Sequence, residues 1–201
     1  MALMKPLIFL ALSLSSFSSP SLGVQKPASN QSADEKSIAT FNIKESASEN
    51  DWQHFFASQP KWRFSLWKYQ EKLGHNLSSW HWTWRIGWIK SCRNSSDFNL
   101  PHCSKIIAQG SDDNALVVRS EVVEVLANLH AGSENTDAVE MLEKIYKDKR
   151  NSRAGKPLYI QKQIIYAIKA IGGSRATSAA ANLAKSHPDV ALYYDKLKSA
   201  Q

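Results

Sequence analysis

Long apolar runs are scarce in this 201-residue chain, and the motifs of familiar active sites are missing. Beyond the first residues no stretch is apolar enough to span a bilayer, which takes about 20 residues. There is no Gly-x-Ser-x-Gly elbow, no His-Glu-x-x-His pair and no glycine-rich phosphate loop. The six histidines, at 54, 75, 81, 102, 130 and 187, are not paired at helical metal-binding spacing. Glu140 and Glu143 lie one helical turn apart, but beside Lys144 and Lys147 they read as ordinary surface charge pairing. No catalytic residue, metal or cofactor is therefore expected. Glycine and proline are also few, eight and seven, and after residue 50 they fall mainly between apolar segments, which favours helices. Acidic residues number 18 against 25 lysines and arginines, a net charge of +7, with the basic excess in residues 51–110. Such a surface suits an anionic partner.

The N-terminus has what the rest lacks. Lys5 precedes an apolar run from Pro6 to Leu14, and Ser21 and Gly23 stand at minus three and minus one of a cut. That is the layout of a secretory signal peptide, so residues 1–23 are expected to be removed and the mature chain to be periplasmic or secreted, with no transmembrane segment. Export argues against nucleic acid as a partner. Residues 24–50 are rich in Ser, Ala, Asn, Lys and Glu and poor in large apolar side chains; they read as a flexible leader.

From residue 112 the apolar spacing is helical. In "NALVVRSEVVEVLANLH" the stripe is Val118, Val122, Val125, Leu126 and Leu129, with Asp112 or Asp113 as N-cap. "NTDAVEMLEKIYKDK" places Val139, Leu142, Ile145 and Tyr146 on one face, and "LYIQKQIIYAIKAIGG" does so with Ile160, Ile164, Ile168 and Ile171 before a Gly172-Gly173 stop. Two further helices follow, one small-faced through Ala176, Ala180 and Leu183, the other begun by Pro188. Aligning Arg85, Arg119 and Gln161 gives offsets of 34 and 42, a period of helical pairs that must stack to bury their faces.

"DDNALVVRSEVVEVLANL", with Asp113, Val118 and Arg119, resembles the first helix of a HEAT-like repeat, and "YIQKQIIYAIKAIGGSRATSAAANLAKS" resembles the next repeat. The second departs at Gln161, where arginine is usual, and lacks the preceding Asp. The resemblance covers roughly residues 99–186. It implies an all-α fold, a short α-solenoid over residues 99–201, and a protein that holds a protein partner rather than catalyses.

Residues 51–98 carry all seven tryptophans. Ser78 or Ser79 is expected to cap a helix on which Trp80, Trp84 and Trp88 share a face. Trp62, Leu66, Tyr69 and Leu73 make a second stripe, with Trp67 beside it. The segment reads as the Trp-rich helical cap, or degenerate repeat, that closes the first end of the solenoid. Rings left outside would stack on cell-wall glycan; Trp52, Trp67 and Trp82 are the candidates, with Arg63, Lys68 and Arg85 for anionic groups. A basic loop adds Lys149, Arg150, Arg153 and Lys156 as a candidate site for phosphate or an acidic partner segment. Cys92 and Cys103, ten residues between them, lie at two helix ends across a turn; in an exported chain they are expected to form a structural disulfide.

Overall fold

Apolar side chains that return every three or four residues need a helix to share a face, and the chain forms one at each such stripe. The computed structural model describes residues 31–93 and 101–199. Among these residues there are ten α-helices: α1 Gln31–Thr40, α2 Glu49–Ala57, α3 Pro60–Lys72, α4 Trp82–Ser91, α5 Pro101–Ser111, α6 Leu116–Leu129, α7 Thr136–Lys147, α8 Tyr159–Ile171, α9 Gly173–Ala184 and α10 Pro188–Ser199. The fold is all-α. Its β-structure among the described residues is one two-residue ladder, Ser152 opposite Pro157 and Arg153 opposite Lys156. None of the described helices is long and apolar enough to cross a membrane. Residues 1–23, the start of the expected leader and residues 94–100, where a turn was expected, lie outside the described residues.

Helices α4, α6, α8 and α10 lie side by side in that order, each packed on the next. A second row covers them: α5 packs on α4 and α6, α7 on α6 and α8, and α9 on α7, α8 and α10. The stripes meet between the rows, where Val118, Val122, Leu142, Ile164, Ile168 and Ala180 are fully buried. The first layer is joined tightly to α5 at Gly110, where an added Cβ would lie 2.9 Å from both Ile89 and Val122. A side chain there would push α4 and α6 apart.

Three local expectations are corrected. The leader is not flexible throughout. Ile38 and Ile43 are buried, and Phe41 sets its ring 4.7 Å from that of Trp84. The Ile43 carbonyl accepts the His81 N–H at 2.7 Å, and the Ala47 N–H donates to Thr83 Oγ1 at 2.8 Å. Two well-placed isoleucines and these bonds are enough to seat a polar segment on the cap. Second, α4 is not capped by Ser78 or Ser79, which lie in the 3-10 turn Leu77–Ser79. Trp80 must stay extended to reach the core, so the helix begins later, with His81 as N-cap accepting from the Thr83 N–H. Third, α6 starts after Ala115, and Asp113 caps it from outside by accepting the Ala115 N–H at 2.7 Å.

Candidate functional site

The tryptophans are mostly interior. Trp67 and Trp88 are among the largest fully buried side chains, and Trp80 and Trp84 are buried beside them. Their rings meet edge to face, Trp67 to Trp88 at 5.3 Å and Trp80 to Trp88 at 5.4 Å, with Phe55 4.9 Å from Trp88. The indole N–H groups of Trp67, Trp80, Trp84 and Trp88 have no acceptor among the described residues. The rings serve as volume rather than as polar contacts.

This corrects two candidates. Trp67 is interior, and its nearly parallel partner is Trp80, also interior. Arg63 is buried and donates to the Ser58 carbonyl at 2.7 Å, fastening the end of α2 to α3. Of the others, Trp52 is half-buried over Gly87, with Lys90 Nζ 5.7 Å from its ring centre. Lys68 is exposed and paired with Glu71 at 3.1 Å. Trp82, 44% exposed, is the tryptophan that meets solvent most fully. Leu73, expected on the inner stripe of α3, is 54% exposed because the stripe runs instead through Trp62, Leu66 and Gln70.

Arg85 belongs to a polar ladder between successive helices of the first row. Its guanidinium donates to both carboxylate oxygens of the buried Asp113, at 2.8 and 2.6 Å. At the equivalent position on α6, the fully buried Arg119 donates to the Asp113 and Asn114 carbonyls and, at 3.1 and 2.7 Å, to Asn151 Oδ1. On α8 the corresponding Gln161 donates to the Tyr146 carbonyl at 3.2 Å. A buried cation is tolerable only when its donors are met, and Arg119 has a partner at each of its three nitrogens, whereas Arg85 Nε and Gln161 Oε1 have none among the described residues. Arg85 is therefore a fastening between helices and not a free anion contact.

The basic loop is more ordered than its composition suggests. Lys149–Asn151 forms a 3-10 turn, and the hairpin of Ser152–Arg153 and Lys156–Pro157 turns through Ala154 and Gly155, both at positive φ. Its root is Asn151, wholly buried: Oδ1 takes Arg119, Nδ2 donates to the Ile145 carbonyl at 2.6 Å, and its own carbonyl accepts the Leu158 N–H at 2.9 Å. Arg150 is corrected as a candidate. It donates to Asp148, to Asp112 Oδ1 at 2.8 Å and to Asn114 Oδ1 at 2.8 Å, so its charge is spent inside the molecule. In return the Arg150 guanidinium holds the Asp148 carboxyl down at a pKa of about 2. The exposed Lys147, Lys149, Arg153 and Lys156 make no ion pair among the described residues. Between the hairpin, the end of α7 and the end of α9 lies a cleft of about 410 Å³. Lys147, Lys149, Gln161 and Leu183 are among the residues that line it, as are Tyr146 and Ser186, whose hydroxyls bond to each other at 2.6 Å.

One exposed group escaped the sequence reading. Tyr159 and Tyr166 are 73% and 56% exposed on α8, and Leu192 is 64% exposed on α10. Tyr193 lies near both tyrosines, its hydroxyl pKa raised first by partial burial. The seven-residue spacing of Tyr159 and Tyr166 was the available signal, since it sets both on one helical face.

Cys92 and Cys103 are bonded to each other, their Cα atoms 5.6 Å apart, and both are fully buried between the end of α4 and the start of α5. Among the described residues no three His, Cys, Asp or Glu side chains gather as a metal site. No protein-family model, no curated protein and no solved structure matches the chain.

Proposed function

We propose that the protein is an exported, non-catalytic module that binds another protein, built from HEAT-like helix pairs closed at one end by a Trp-rich cap. The observation that carries this reading is the order of the helices. A row of α4, α6, α8 and α10 with α5, α7 and α9 laid along it is the arrangement that stacked pairs require. The Arg119 rung at the start of α6 agrees with the repeat motif. Export is supported by the N-terminal layout and by the buried Cys92–Cys103 bond, which needs an oxidising compartment to form and persist. A glycan-binding surface is the second reading, and exposed Trp82 is the observation in its favour.

The test uses the native envelope. The mature protein, crosslinked in place and purified under denaturing conditions, is expected to carry a defined protein partner that excess unlabelled protein displaces. Sedimentation with peptidoglycan and no protein adduct would turn the reading to glycan. N-terminal sequencing is expected to begin at Val24; a chain kept inside the cell with residues 1–23 attached would remove export.

A further inference from the structure

We infer that the solvent face of the first row, centred on Tyr159 and Tyr166 of α8, is the surface that holds the partner, and that it takes a protein segment with carboxylates beside apolar anchor side chains. This rests on the protein-binding reading above and adds the place and the partner's chemistry. The two rows differ at their outer faces. Every helix of the first row exposes a large apolar side chain: Trp82 on α4, Val117 on α6, Tyr159 and Tyr166 on α8, Leu192 on α10. Among the described residues α5, α7 and α9 expose none, and the other two such side chains, Phe56 and Leu73, lie before α4. A scattered exposed apolar residue needs no explanation, but their gathering on one row does. Val117 and Tyr159 also hold the same place in the repeat, each two residues before the rung residue, Arg119 or Gln161. Tyr166 lies two turns beyond Tyr159, about 10 Å along the same face. Tyr193 of α10 lies near both. Tyrosines offer broad contact with few rotatable bonds, so little freedom is lost when a partner orders them.

The charge left on this face is positive. Helix α8 carries Lys162 and Lys169 and no carboxylate. Lys162 follows Tyr159 by three residues and precedes Tyr166 by four, so it shares their face. On α10, Lys196 follows Tyr193 by three residues and shares its side. Neither the Lys162 nor the Lys196 ammonium group makes an ion pair among the described residues. Lys169 donates to the Leu197 carbonyl at 2.8 Å. The carboxylates of the neighbouring helices are already met: Glu121 and Glu124 by Arg93 at 2.8 and 2.7 Å, and Asp195 by Lys198 at 2.9 Å. Asp189, one turn before Tyr193, has no lysine or arginine among the described residues and lies 3.8 Å from His187 Nδ1. Two unpaired lysines outweigh it. An apolar centre flanked by unpaired cations complements a segment that sets carboxylates beside its apolar side chains, whereas a basic segment would meet Lys162 with like charge.

The experiment uses the full mature chain in its native envelope, with a photoreactive benzoylphenylalanine at Leu192, on the first row, in one variant and at Ser178, exposed on α9 of the second row, in another. A protein adduct is expected from position 192 and none from position 178, with Asp or Glu beside apolar residues in the attached segment. Tyr166→Ala and Lys162→Glu, each added to the position-192 variant, are each expected to lower that adduct on the order of ten-fold, the effect of losing an aromatic anchor or of reversing a contact charge. Neither residue is buried, so the melting point is expected to be unchanged, which separates lost binding from lost folding. An adduct at position 192 that survives either substitution, or whose segment lacks Asp and Glu, would overturn the inference and leave the protein-binding reading intact. Adducts from position 178 as strong as those from 192 would do the same. Adducts from neither position would overturn both. Retention on peptidoglycan that Tyr166→Ala abolishes, with no protein adduct, would overturn both in favour of glycan.

Discussion

The two ends of the molecule reach the same result, a buried apolar core, by different means. The first end fills its interior with indole rings, leaves four of their N–H groups without an acceptor among the described residues, and adds a covalent bond between α4 and α5. The second end fills its interior with Val, Ile, Leu and Ala, gives the buried Arg119 a partner at each of its three nitrogens, and leaves Gln161 Oε1 and Gln163 Oε1 without a partner among the described residues. The first end closes itself with large side chains and a staple, whereas the second is closed by α10 packed on α8 and α9 through Val190 and Tyr194. Uncompensated polar atoms are tolerated where apolar area is large, since burying an indole outweighs the cost of its lone donor.

Several substitutions would break or sharpen this contrast. The largest effect is expected from Trp88→Ala, which removes the ring at the centre of the aromatic cluster; urea unfolding should report a loss of about 4 kcal/mol. Arg119→Ala should cost about 3 kcal/mol in the same measurement, because Asn151 Oδ1 and two carbonyls lose their donor inside the protein. If Arg119→Met instead matched the wild type, the rung would be a packing element and the contrast would fail. Cys92→Ala with Cys103→Ala should cost about 2–3 kcal/mol, the loop-closure value for residues 11 apart.

Two carboxylates should then show opposite pH dependence. Asp148 has its folded pKa depressed from 3.8 to about 2, so its contribution is present above the unfolded value and lost as pH falls towards 2. Asp148→Asn should therefore be less stable at neutral pH and converge with the wild type in acid. Glu121, buried between α4 and α6, is raised above its ordinary 4.5 by burial, which outweighs Lys90 and Arg93. Its contribution is present below that value and lost as pH rises through its folded pKa. Glu121→Gln should gain relative to the wild type as pH rises and show no difference in acid. The smallest effect is expected from Trp82→Ala, within about 0.5 kcal/mol, since Trp82 meets solvent where Trp88 does not.

The helices from Leu116 onward were legible because their stripes are regular and their ends carry Asn135, Gly172 and Pro188. The cysteine pairing was legible too, since the chain holds two cysteines, 11 residues apart, at the ends of two apolar helical stripes. What escaped depends on contacts distant in sequence. Nothing near Arg150 announces that Asp112, 38 residues earlier, will neutralise it. Nothing near Ile43 announces His81. For the tryptophans, spacing told Trp82 from Trp80, Trp84 and Trp88, but it could not tell that Trp67 lies inside, because α3 buries two adjacent faces against α1 and the Trp cluster.

The turns between helices carry one more consequence. The Gly132 N–H donates to the Ala170 carbonyl at 2.8 Å and the Glu134 N–H to the Ile171 carbonyl at 3.1 Å, so the turn after α6 is strapped to the end of α8. Gly173 lies so close to Glu134 that a Cβ would come within 2.9 Å of it. Both strap bonds are main chain to main chain, and neither depends on which side chains the helices bear. The spacing of α6 and α7 from α8 and α9 is thereby uncoupled from surface composition. The outward positions of these helices are free to diverge, residue by residue, while the frame that presents them keeps its pitch.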